Sequence, residues 1–431
     1  MTEKLLQFIW QFGYYNNASL TTIDGEALTI LFPGSFNKNQ GPDFTAARIK
    51  IGNTTLAGNI ELHLTTSDWK RHNHETDNNY RNVILHVVFQ HDQTVNNIPV
   101  LELGSRISNL LLQRYALLME NATFLPCGNS LSSVNNLVLA AWKERLLVER
   151  LTRKAGQVME CLTQSNNHWE ETFWWLLARA FGAKLNSDAF ETLARSIPVN
   201  VLSKHKHSIH QLEALLLGQA NLLTGEFDDE YPKLLQREYN FLKKKYNLQS
   251  SPIPVLFLRM RPGNFPTIRL AQLAMLVHQT THLFSKILET KKPGDLKSFF
   301  DVTANDFWHY HYTFQQASAF KKKALGAEMT SNIIINTVIP VLFAYGLFHR
   351  DESYKDKALQ WLEELSPENN HITTGFVKIG VENKSAYDSQ ALLELKNEYC
   401  GEKRCLDCSI GNAILREAAQ EYKTVSRSIP V

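Results

Sequence analysis

The sequence predicts an α+β protein, with a small N-terminal α/β domain in residues 1–106 and a large, mostly helical domain in residues 107–431. Short segments of β-type composition, separated by turn residues, are concentrated in the first hundred residues. Beyond them, apolar residues recur at helical spacing almost throughout. A chain of 431 residues also exceeds what one compact core usually accommodates, which favours more than one domain.

The elements of the first domain are predicted in the order helix, three strands, short helix and strand. Leu5, Phe8 and Phe12 share one face of a helix over residues 4–14, which Gly13 ends. Residues 76–82 are rich in turn formers and predict a short helix or a turn. Runs of apolar and β-branched residues predict strands at 27–32, 44–51, 55–64 and 83–90, with a closing strand at 98–103.

The second domain is predicted to consist of helices. A Pro-rich stretch at 251–266 interrupts the helical pattern and predicts an irregular connection. The clearest helical patterns cover residues 110–120, 135–156, 171–182, 210–223, 267–288 and 332–348.

Composition excludes several classes of protein. With 44% hydrophobic and 20% charged residues, the chain is typical of globular proteins rather than disordered ones. We find neither a signal peptide nor the roughly 20 uninterrupted apolar residues of a membrane span. Five cysteines are too few for a disulfide scaffold. The sequence therefore predicts a cytoplasmic protein without membrane contact, and its net charge of +2 excludes no soluble partner.

The strand predicted over 55–64 has two different faces. Because alternate residues of a strand share a face, Ile60, Leu62 and Leu64 are expected to face a core. Glu61 and His63 then lie side by side on the opposite, polar face. Truncation of a side chain on such a face is expected to cost little stability.

Asp43 follows Pro42 at the start of the preceding strand. Together with Glu61-Leu62-His63 it resembles the motif of the PD-(D/E)XK phosphodiesterase superfamily, with His63 where that family most often has lysine. The predicted order of elements also resembles the restriction-endonuclease-like core of that superfamily. The resemblance implies that Asp43 and Glu61 bind Mg²⁺ or Mn²⁺, while His63 carries a proton during the cleavage of nucleic acid.

The register of the hairpin argues against this site. A two-residue turn at residues 52–53 would bring Asp43 opposite Leu62, on the apolar face. Asp43 lies on the same face as Glu61 only if the loop is one residue longer or a bulge interrupts the strand near its start. In the structural alternative, Asp43 caps a turn and Glu61 forms a surface ion pair with His63.

A polar loop after this strand contains His72 and His74. A His-x-His pair near carboxylates has the spacing of a transition-metal site and suits Zn²⁺ or Mn²⁺. With His63, the pair predicts as a third option a Zn²⁺ or Mn²⁺ hydrolase of small molecules. Alternatively, both are ordinary loop residues. His86 lies among apolar residues of the next strand and is expected to be a core histidine.

Three cysteines near the C-terminus, Cys400, Cys405 and Cys408, have the spacing of a metal knuckle. Cys127 is the first candidate for a fourth ligand, followed by Cys161 or a histidine. Four thiolates suit either Zn²⁺ or a [4Fe–4S] cluster. The alternative is that all of them are ordinary reduced thiols.

Longer strings of the sequence closely resemble a bacterial family known only as a domain of unknown function. They begin with GPDF and GNIELHLTTSDWKRHNHETDNNYRNVILHVV and continue with LEALLLGQANLL, RMRPGNFPTIRLAQLA, IIIN and YCGEKRCLDCSIGN. This resemblance implies an intracellular protein of shared architecture without an assigned reaction. The predicted function therefore depends on the motif: a metal-dependent phosphodiesterase of nucleic acid. The rival hypothesis is a non-catalytic, metal-stapled scaffold that binds nucleic acid or a partner protein.

Overall fold

The computed structural model describes residues 1–37, 39–94, 98–120, 123–258, 260–280 and 282–427, with side chains described as far as residue 420. The chain divides into two compact units. The first unit comprises Met1–Glu144 and Glu394–Val431, and the second comprises Arg145–Leu393. The predicted α+β class is confirmed, with a small N-terminal sheet and a large helical region. The domain boundary predicted at residue 106 falls within the first unit.

The strands all lie in the first unit, and the helices occur in both. The strands are β1 (Leu20–Thr21), β2 (Ala27–Phe32), β3 (Ser35–Phe36), β4 (Phe44–Ile51), β5 (Thr54–Thr65), β6 (Val83–Gln90) and β7 (Val100–Glu102). The helices are α1 (Glu3–Phe12), α2 (Asp68–Arg71), α3 (Asn109–Glu120), α4 (Asn136–Gln164), α5 (Trp169–Phe181), α6 (Ala183–Arg195), α7 (Val199–His205), α8 (Ile209–Gln219), α9 (Glu230–Tyr246), α10 (Pro266–Gln279), α11 (Leu283–Glu289), α12 (Pro293–Phe299), α13 (Ala327–Ile333), α14 (Ile339–His349), α15 (Glu352–Glu364), α16 (His371–Lys378), α17 (Ala386–Glu394) and α18 (Ser409–Arg427). Two π-helical segments, Ile334–Val338 and Leu395–Cys400, follow α13 and α17.

The predicted N-terminal elements are confirmed almost residue by residue. The four main strands and α1 match their predicted ranges to within about two residues, whereas the closing strand is shorter than predicted. The pattern at 267–288 forms two helices, α10 and α11, instead of one. The short elements β1, β3 and α2 were not predicted, because two to four residues are too few to show a periodic pattern.

Helix α1 begins and ends at typical capping residues. The Thr2 hydroxyl accepts a hydrogen bond from the Leu5 amide at 3.2 Å, and Gly13 ends the helix in the left-handed conformation, at φ 62°. Leu5, Leu6 and Ile9 are buried, and the helix packs against β5. Because α1 lies against this strand, its polar side chains can reach residues at the ends of β4 and β5.

The sheet is mixed, with β5 at the change of direction. Its strand order is β1-β2-β4-β5-β6-β7, and β3 pairs with β4. The pairs β2–β4 and β4–β5 are antiparallel, whereas β5–β6 and β6–β7 are parallel. A Cβ atom at Gly58 of β5 would lie 2.5 Å from the side chain of Ile84 and 2.6 Å from the carbonyl oxygen of Asn82. Only glycine therefore allows β6 to approach β5 this closely.

The second unit contains one strongly apolar helical stretch, Ala327–His349. Among the described parts of the chain, it is the segment long and apolar enough to cross a membrane. However, 67% of its most apolar window is buried inside the protein. That burial is typical of the core helix of a soluble protein.

Glu213 in α8 is a carboxyl group without solvent exposure. Its Oε1 accepts a hydrogen bond from Trp308 Nε1 at 3.1 Å, and its Oε2 accepts one from the Tyr231 hydroxyl. Burial raises the pKa of Glu213 to about 7, and the two hydrogen bonds offset only part of this rise. The folded protein therefore keeps this proton at pH values where the unfolded chain has released it.

We expect Glu213→Gln to remove a loss of stability that the wild type undergoes as the pH rises. Between pH 4.5 and about 7 the folded state binds more protons than the unfolded state, so the free energy of unfolding falls. The fall is on the order of 3 kcal/mol, because one unit of pKa shift corresponds to about 1.4 kcal/mol. Urea unfolding near pH 5 and pH 8 measures it. The exposed control Glu226→Gln should keep the wild-type fall; a Glu213→Gln chain that also keeps it would contradict this explanation.

Candidate metal centre

A bulge in β4 brings the two predicted carboxylates opposite each other. The hairpin has the predicted two-residue turn, but the register shifts by one residue near the start of β4. Phe44 therefore pairs with Ile60, and Asp43 lies opposite Glu61 rather than opposite Leu62. Of the two registers considered from the sequence, the bulged one is present. The bulge is the physical reason that a strict two-residue alternation does not hold along the whole strand.

Asp43 and Glu61 are held beside each other by hydrogen bonds. The Asp43 amide donates to Glu61 Oε2 at 3.0 Å. The Asp43 carboxylate accepts hydrogen bonds from Gln7 Nε2 in α1 at 2.8 Å and from the Leu62 amide at 3.1 Å. Burial raises the pKa of both carboxyl groups, and the nearby Asp43 raises that of Glu61 further. Two adjacent acids in a buried position are a site that a divalent cation stabilises.

The polar face of β5 is buried, so Glu61 and His63 do not form the surface ion pair of the structural alternative. Glu61 is 5% exposed and His63 is 1% exposed. The cause is the segment after β5, where Trp69 of α2 packs against Val83 and Tyr80 and so covers this face. Truncation at Glu61 or His63 therefore changes a buried environment, so we no longer expect its cost in stability to be small.

Two imidazole rings converge on Glu61 Oε1, and a third ring lies beside them. The Nε2 atoms of His63 and His74 each lie 3.5 Å from this oxygen. His72 Nδ1 lies 3.1 Å from His63 Nε2. One nitrogen from each of the three histidines lies within 4.8 Å of the other two. We refer to Glu61, His63, His72 and His74 as the candidate metal centre.

Helix α2 and the loop after it hold His72 and His74 over β5. Asp68 Oδ2 accepts a hydrogen bond from the Thr65 amide at 3.1 Å, which fixes the start of the helix. The His74 ring stacks on Tyr80 with ring centroids 3.8 Å apart, and only 9% of its side chain is exposed. His72 is exposed at the opening of the site. Both residues of the predicted pair therefore lie beside His63: the His74 ring is buried near Glu61 Oε1, and the His72 ring is accessible.

His86 is the residue whose role was missed. It was expected to be an ordinary core histidine, and its ring is indeed fully buried. Its Nε2, however, lies 2.9 Å from His63 Nδ1, and its backbone pairs with Glu61 across the parallel strands. Histidine ligands usually bind a metal through one nitrogen and hydrogen-bond through the other. The sequence signal was an isolated histidine in the strand next to Glu61, which is informative only once the register is known.

The protonation states suit a metal ion. Burial, followed by the neighbouring imidazoles, lowers the pKa of His63 to about 2 and that of His86 to about 4. Burial also lowers the pKa of His74. Neutral imidazole is the form that binds metals. His74 Nε2 is a buried atom without a hydrogen-bond partner, and such atoms usually require a ligand, water or ion.

The ligand atoms indicate which ion fits. Three imidazole nitrogens and one carboxylate oxygen suit Zn²⁺ or Mn²⁺ better than Mg²⁺, which prefers oxygen ligands. His63 Nε2 is one of the converging atoms, so its position favours a ligand role over that of a proton carrier. Asp43 lies beside the group with both oxygens already accepting hydrogen bonds.

Four of the predicted cysteine ligands, Cys127, Cys400, Cys405 and Cys408, are free thiols of the first unit. Among the described residues, their sulfurs do not form a group of three or more ligand atoms within 4.8 Å of one another, so a shared metal at these cysteines stays a prediction. Cys161, the other candidate for a fourth ligand, belongs to the second unit, where its sulfur lies 3.5 Å from Arg195 Nη2.

Comparisons with known proteins give a family but no reaction. No curated protein and no solved structure matches the chain. One family, described as a protein of unknown function (DUF2851), matches residues 3–371. The matched region contains the whole candidate metal centre, and it ends before Cys400. Because the match covers most of the chain, this protein belongs to the DUF2851 family.

Proposed function

We propose that the first unit is a metal-dependent phosphodiesterase that cleaves nucleic acid, with its cation at the candidate metal centre. The observation that carries the proposal is the convergence of His63 and His74 on Glu61 Oε1, at 3.5 Å each, with Asp43 held opposite Glu61. This arrangement joins five polar side chains from separate parts of the chain, including the exposed His72. Burying these polar side chains together raises the free energy of the folded state unless the site binds a ligand.

Each side chain has a distinct task in this proposal. A bound Zn²⁺ or Mn²⁺ would polarise a phosphate oxygen and lower the pKa of an attacking water. Glu61 and the three histidines of the centre hold the cation. His86 orients His63 through the contact between their rings. Asp43, fixed by Gln7, places a second carboxylate beside the cation and positions Glu61, and its predicted role as a ligand stays a prediction.

The resemblance to the PD-(D/E)XK superfamily supports the choice of reaction. Asp43 enters one strand and Glu61-Leu62-His63 lies on the next, with the bulge aligning the two acids. The order of α1, β2, β4, β5 and β6, with a short helix before β6, is the feature that supports proposing a restriction-endonuclease-like core. His63 occupies the position of the lysine in that motif. We therefore propose a distant relationship to that superfamily, in which imidazole nitrogens supply most of the metal ligands.

The surroundings of the centre favour an anionic substrate. Lys70 and Arg71 are exposed next to His72; 70% of the Arg71 side chain is accessible, while its Nη2 forms an ion pair with Asp68 Oδ1 at 2.5 Å. The Arg71 cation is close enough to His63 to contribute to its lowered pKa. Arginine beside an accessible metal ligand suits recognition of phosphate. A cytoplasmic location is proposed with this function, because the sparing use of cysteine suits a reducing compartment.

The test is cleavage by the full-length protein after chelation and reloading with Zn²⁺, Mn²⁺ or Mg²⁺. Labelled single- and double-stranded DNA and RNA are the substrates, with a small phosphodiester as a further probe. We expect cleavage of a nucleic acid with Zn²⁺ or Mn²⁺ and at least about a 10-fold loss in His72→Ala, the lower end of the cost of a disturbed ligand shell. His72 is exposed, so this variant should fold normally. His207→Ala, an exposed histidine of the second unit, is the matched control.

The other outcomes identify the rival functions. A protein that binds the cation but cleaves none of the substrates would be the non-catalytic scaffold. Cleavage of the small phosphodiester alone would indicate the third option, a small-molecule hydrolase. Equal activity in His72→Ala and the wild type would contradict the proposed centre.

A further inference from the structure

A large cavity lies within the second unit. Its volume is about 1250 Å³, and the residues that line it all fall between Lys154 and Val341. Ligand pockets usually measure about 300–1,000 Å³, so this cavity has room for more than a single inorganic ion. Six of its lining residues are basic, and we refer to it as the basic cavity: Lys154, Arg179, Lys184, Arg261, Arg269 and Lys321.

The acidic residues of the basic cavity do not balance its cations. Three lining residues are acidic: Glu160, Glu191 and Glu328. Glu191 is already paired, because its two oxygens lie 2.7 Å from Arg179 Nη1 and 2.6 Å from Arg195 Nη2. Glu160 and Glu328 are exposed to solvent. The lining therefore has an excess of positive charge, which favours an anionic ligand.

Arg269 is a partly buried cation that only neutral side chains hold. Its Nη1 donates a hydrogen bond to Gln272 Oε1 at 3.0 Å, and its Nη2 donates one to Asn264 Oδ1 at 2.6 Å. Its Nε is buried without a hydrogen-bond partner. Burial lowers the pKa of Arg269, and within the described parts of the chain no carboxylate offsets this effect. The two amides fix the guanidinium group without neutralising it, so an anion beside it would stabilise its charge.

Arg261 and Arg269 are brought to the cavity by the string RMRPGNFPTIRLAQLA. The turn Pro262–Asn264 lies between the two arginines. The Asn264 amide donates to the Arg261 carbonyl oxygen at 2.8 Å, while the Asn264 side chain accepts the hydrogen bond from Arg269. One asparagine therefore holds the backbone of one arginine and the side chain of the other.

The loop that carries Lys321 is fastened to the same helix as Arg269. Gln272 Nε2 donates hydrogen bonds to the carbonyl oxygens of Lys323 and Ala324, at 3.2 Å and 3.1 Å. The Oε1 atom of Gln272 accepts from Arg269. A continuous set of hydrogen bonds therefore connects the Arg269 guanidinium group to the loop, and Lys321 is exposed at the edge of the cavity.

Two unusual backbone features also line the basic cavity. Ala183, at the start of α6, has a φ of 50°, in the left-handed region that side chains other than glycine rarely adopt. The π-helical segment Ile334–Val338 contributes Asn336 and Thr337 to the lining. Asn336 Oδ1 accepts a hydrogen bond from Lys154 Nζ at 2.7 Å. Strained backbone and π-helical segments occur frequently at functional sites, so both features support a ligand site here.

We propose that the basic cavity binds a phosphorylated molecule of nucleotide size, and that Arg261, Arg269 and Lys321 bind its phosphate groups. Guanidinium groups suit phosphate because their planar donors form paired hydrogen bonds with its oxygens. The volume of the cavity favours a larger group attached to the phosphates, which the apolar lining residues Leu176 and Val341 can contact. Because the cavity belongs to the second unit, this proposal is independent of the reaction proposed for the first.

The experiment is calorimetric titration of the full-length protein with ATP, pyrophosphate and citrate. The chelator EDTA is present, so that no cation at the candidate metal centre can bind these probes. We expect ATP to bind more tightly than pyrophosphate, because it also fills the rest of the cavity, and citrate to bind most weakly. His72→Ala should bind ATP as the wild type does, so failure of the proposed reaction leaves the result interpretable.

Variants of the lining residues test which side chains bind the phosphates. We expect Arg269→Gln, and the double variant Arg261→Gln with Lys321→Gln, each to bind ATP at least about 10-fold more weakly, as the loss of one charged hydrogen bond predicts. Lys322→Gln is the matched control, since this lysine is exposed beside Lys321 but lies outside the lining. It should bind ATP as the wild type does. If Arg269→Gln does not fold, the double variant decides, because both of its residues are exposed.

Several results would overturn the proposal. One is an absence of ATP binding to the wild type at low ionic strength. Another is equal ATP affinity in the double variant and in Lys322→Gln. Citrate that binds as tightly as ATP would indicate a site for carboxylates, and pyrophosphate that binds as tightly would exclude contact with a larger group. Binding of single-stranded RNA without binding of ATP would indicate a nucleic-acid surface instead.

Discussion

Glu61→Gln is expected to lower cation-dependent cleavage by at least about 100-fold, the upper end of the cost of losing a group that only orients a ligand. Glu61 Oε1 is the atom on which His63 and His74 converge, so an uncharged amide in its place weakens the whole site. Glutamine keeps the size of the side chain and an oxygen that accepts from the Asp43 amide. The fold should therefore persist, and turnover at saturating Mn²⁺ measures the loss.

Asp43→Asn is the matched comparison for Glu61→Gln. Both oxygens of Asp43 already accept hydrogen bonds, from Gln7 and from the Leu62 amide. We expect a smaller loss of activity, about 10- to 100-fold, if Asp43 mainly positions the site. An equal loss of activity in the two variants would indicate that Asp43 binds the cation as Glu61 does. Activity equal to the wild type in both would exclude the carboxylates from the reaction.

His63→Lys is expected to abolish binding of Zn²⁺ and Mn²⁺ at the candidate metal centre. A protonated ammonium group is a donor without a lone pair, so it cannot bind a cation. His63 Nε2 lies within 3.5 Å of Glu61 Oε1 and His72 Nδ1, so the added charge would lie among the remaining ligands. Calorimetric titration of the full-length protein with Mn²⁺ measures the loss.

The same substitution distinguishes the two roles considered for His63. If His63 were a proton carrier, lysine would restore the residue of the PD-(D/E)XK motif and keep partial activity. If His63 is a ligand, activity and metal binding are lost together. His63→Gln, without the added charge, reports whether a neutral side chain is tolerated in this buried position. His207→Lys is the control for a lysine introduced elsewhere. Normal metal binding in His63→Lys would contradict the ligand role.

The sequence was informative wherever a pattern is local. Alternation over β5 and apolar runs at β2, β4 and β6 predicted the strands, because each strand presents alternate residues to one face. The end of α1 was predicted from Gly13, whose backbone adopts the left-handed conformation that other residues avoid. Histidines two residues apart at His72 and His74 predicted candidate metal ligands, and the structure brings both beside His63.

Local sequence patterns could not predict the register of β5 or its burial. A single bulge in β4 determines whether Asp43 lies opposite Glu61 or Leu62, and both registers satisfy the same residue types. Whether a polar face is exposed depends on what packs over it. Here Trp69 of the short helix α2 covers the face that was expected to be exposed. Neither the bulge nor a four-residue helix has a periodic signal in the sequence.

The sequence alone determined the kinds of elements in this protein, their order and the residue types capable of metal chemistry, because these depend on backbone periodicity and on side-chain chemistry. Tertiary structure decided which of those side chains meet. The parallel pairing of β5 with β6 brings His86 to His63, and the bulge in β4 brings Asp43 to Glu61. Contacts between residues distant in the chain arise from packing. Packing produces no regular spacing of residues in the sequence from which such contacts could be predicted.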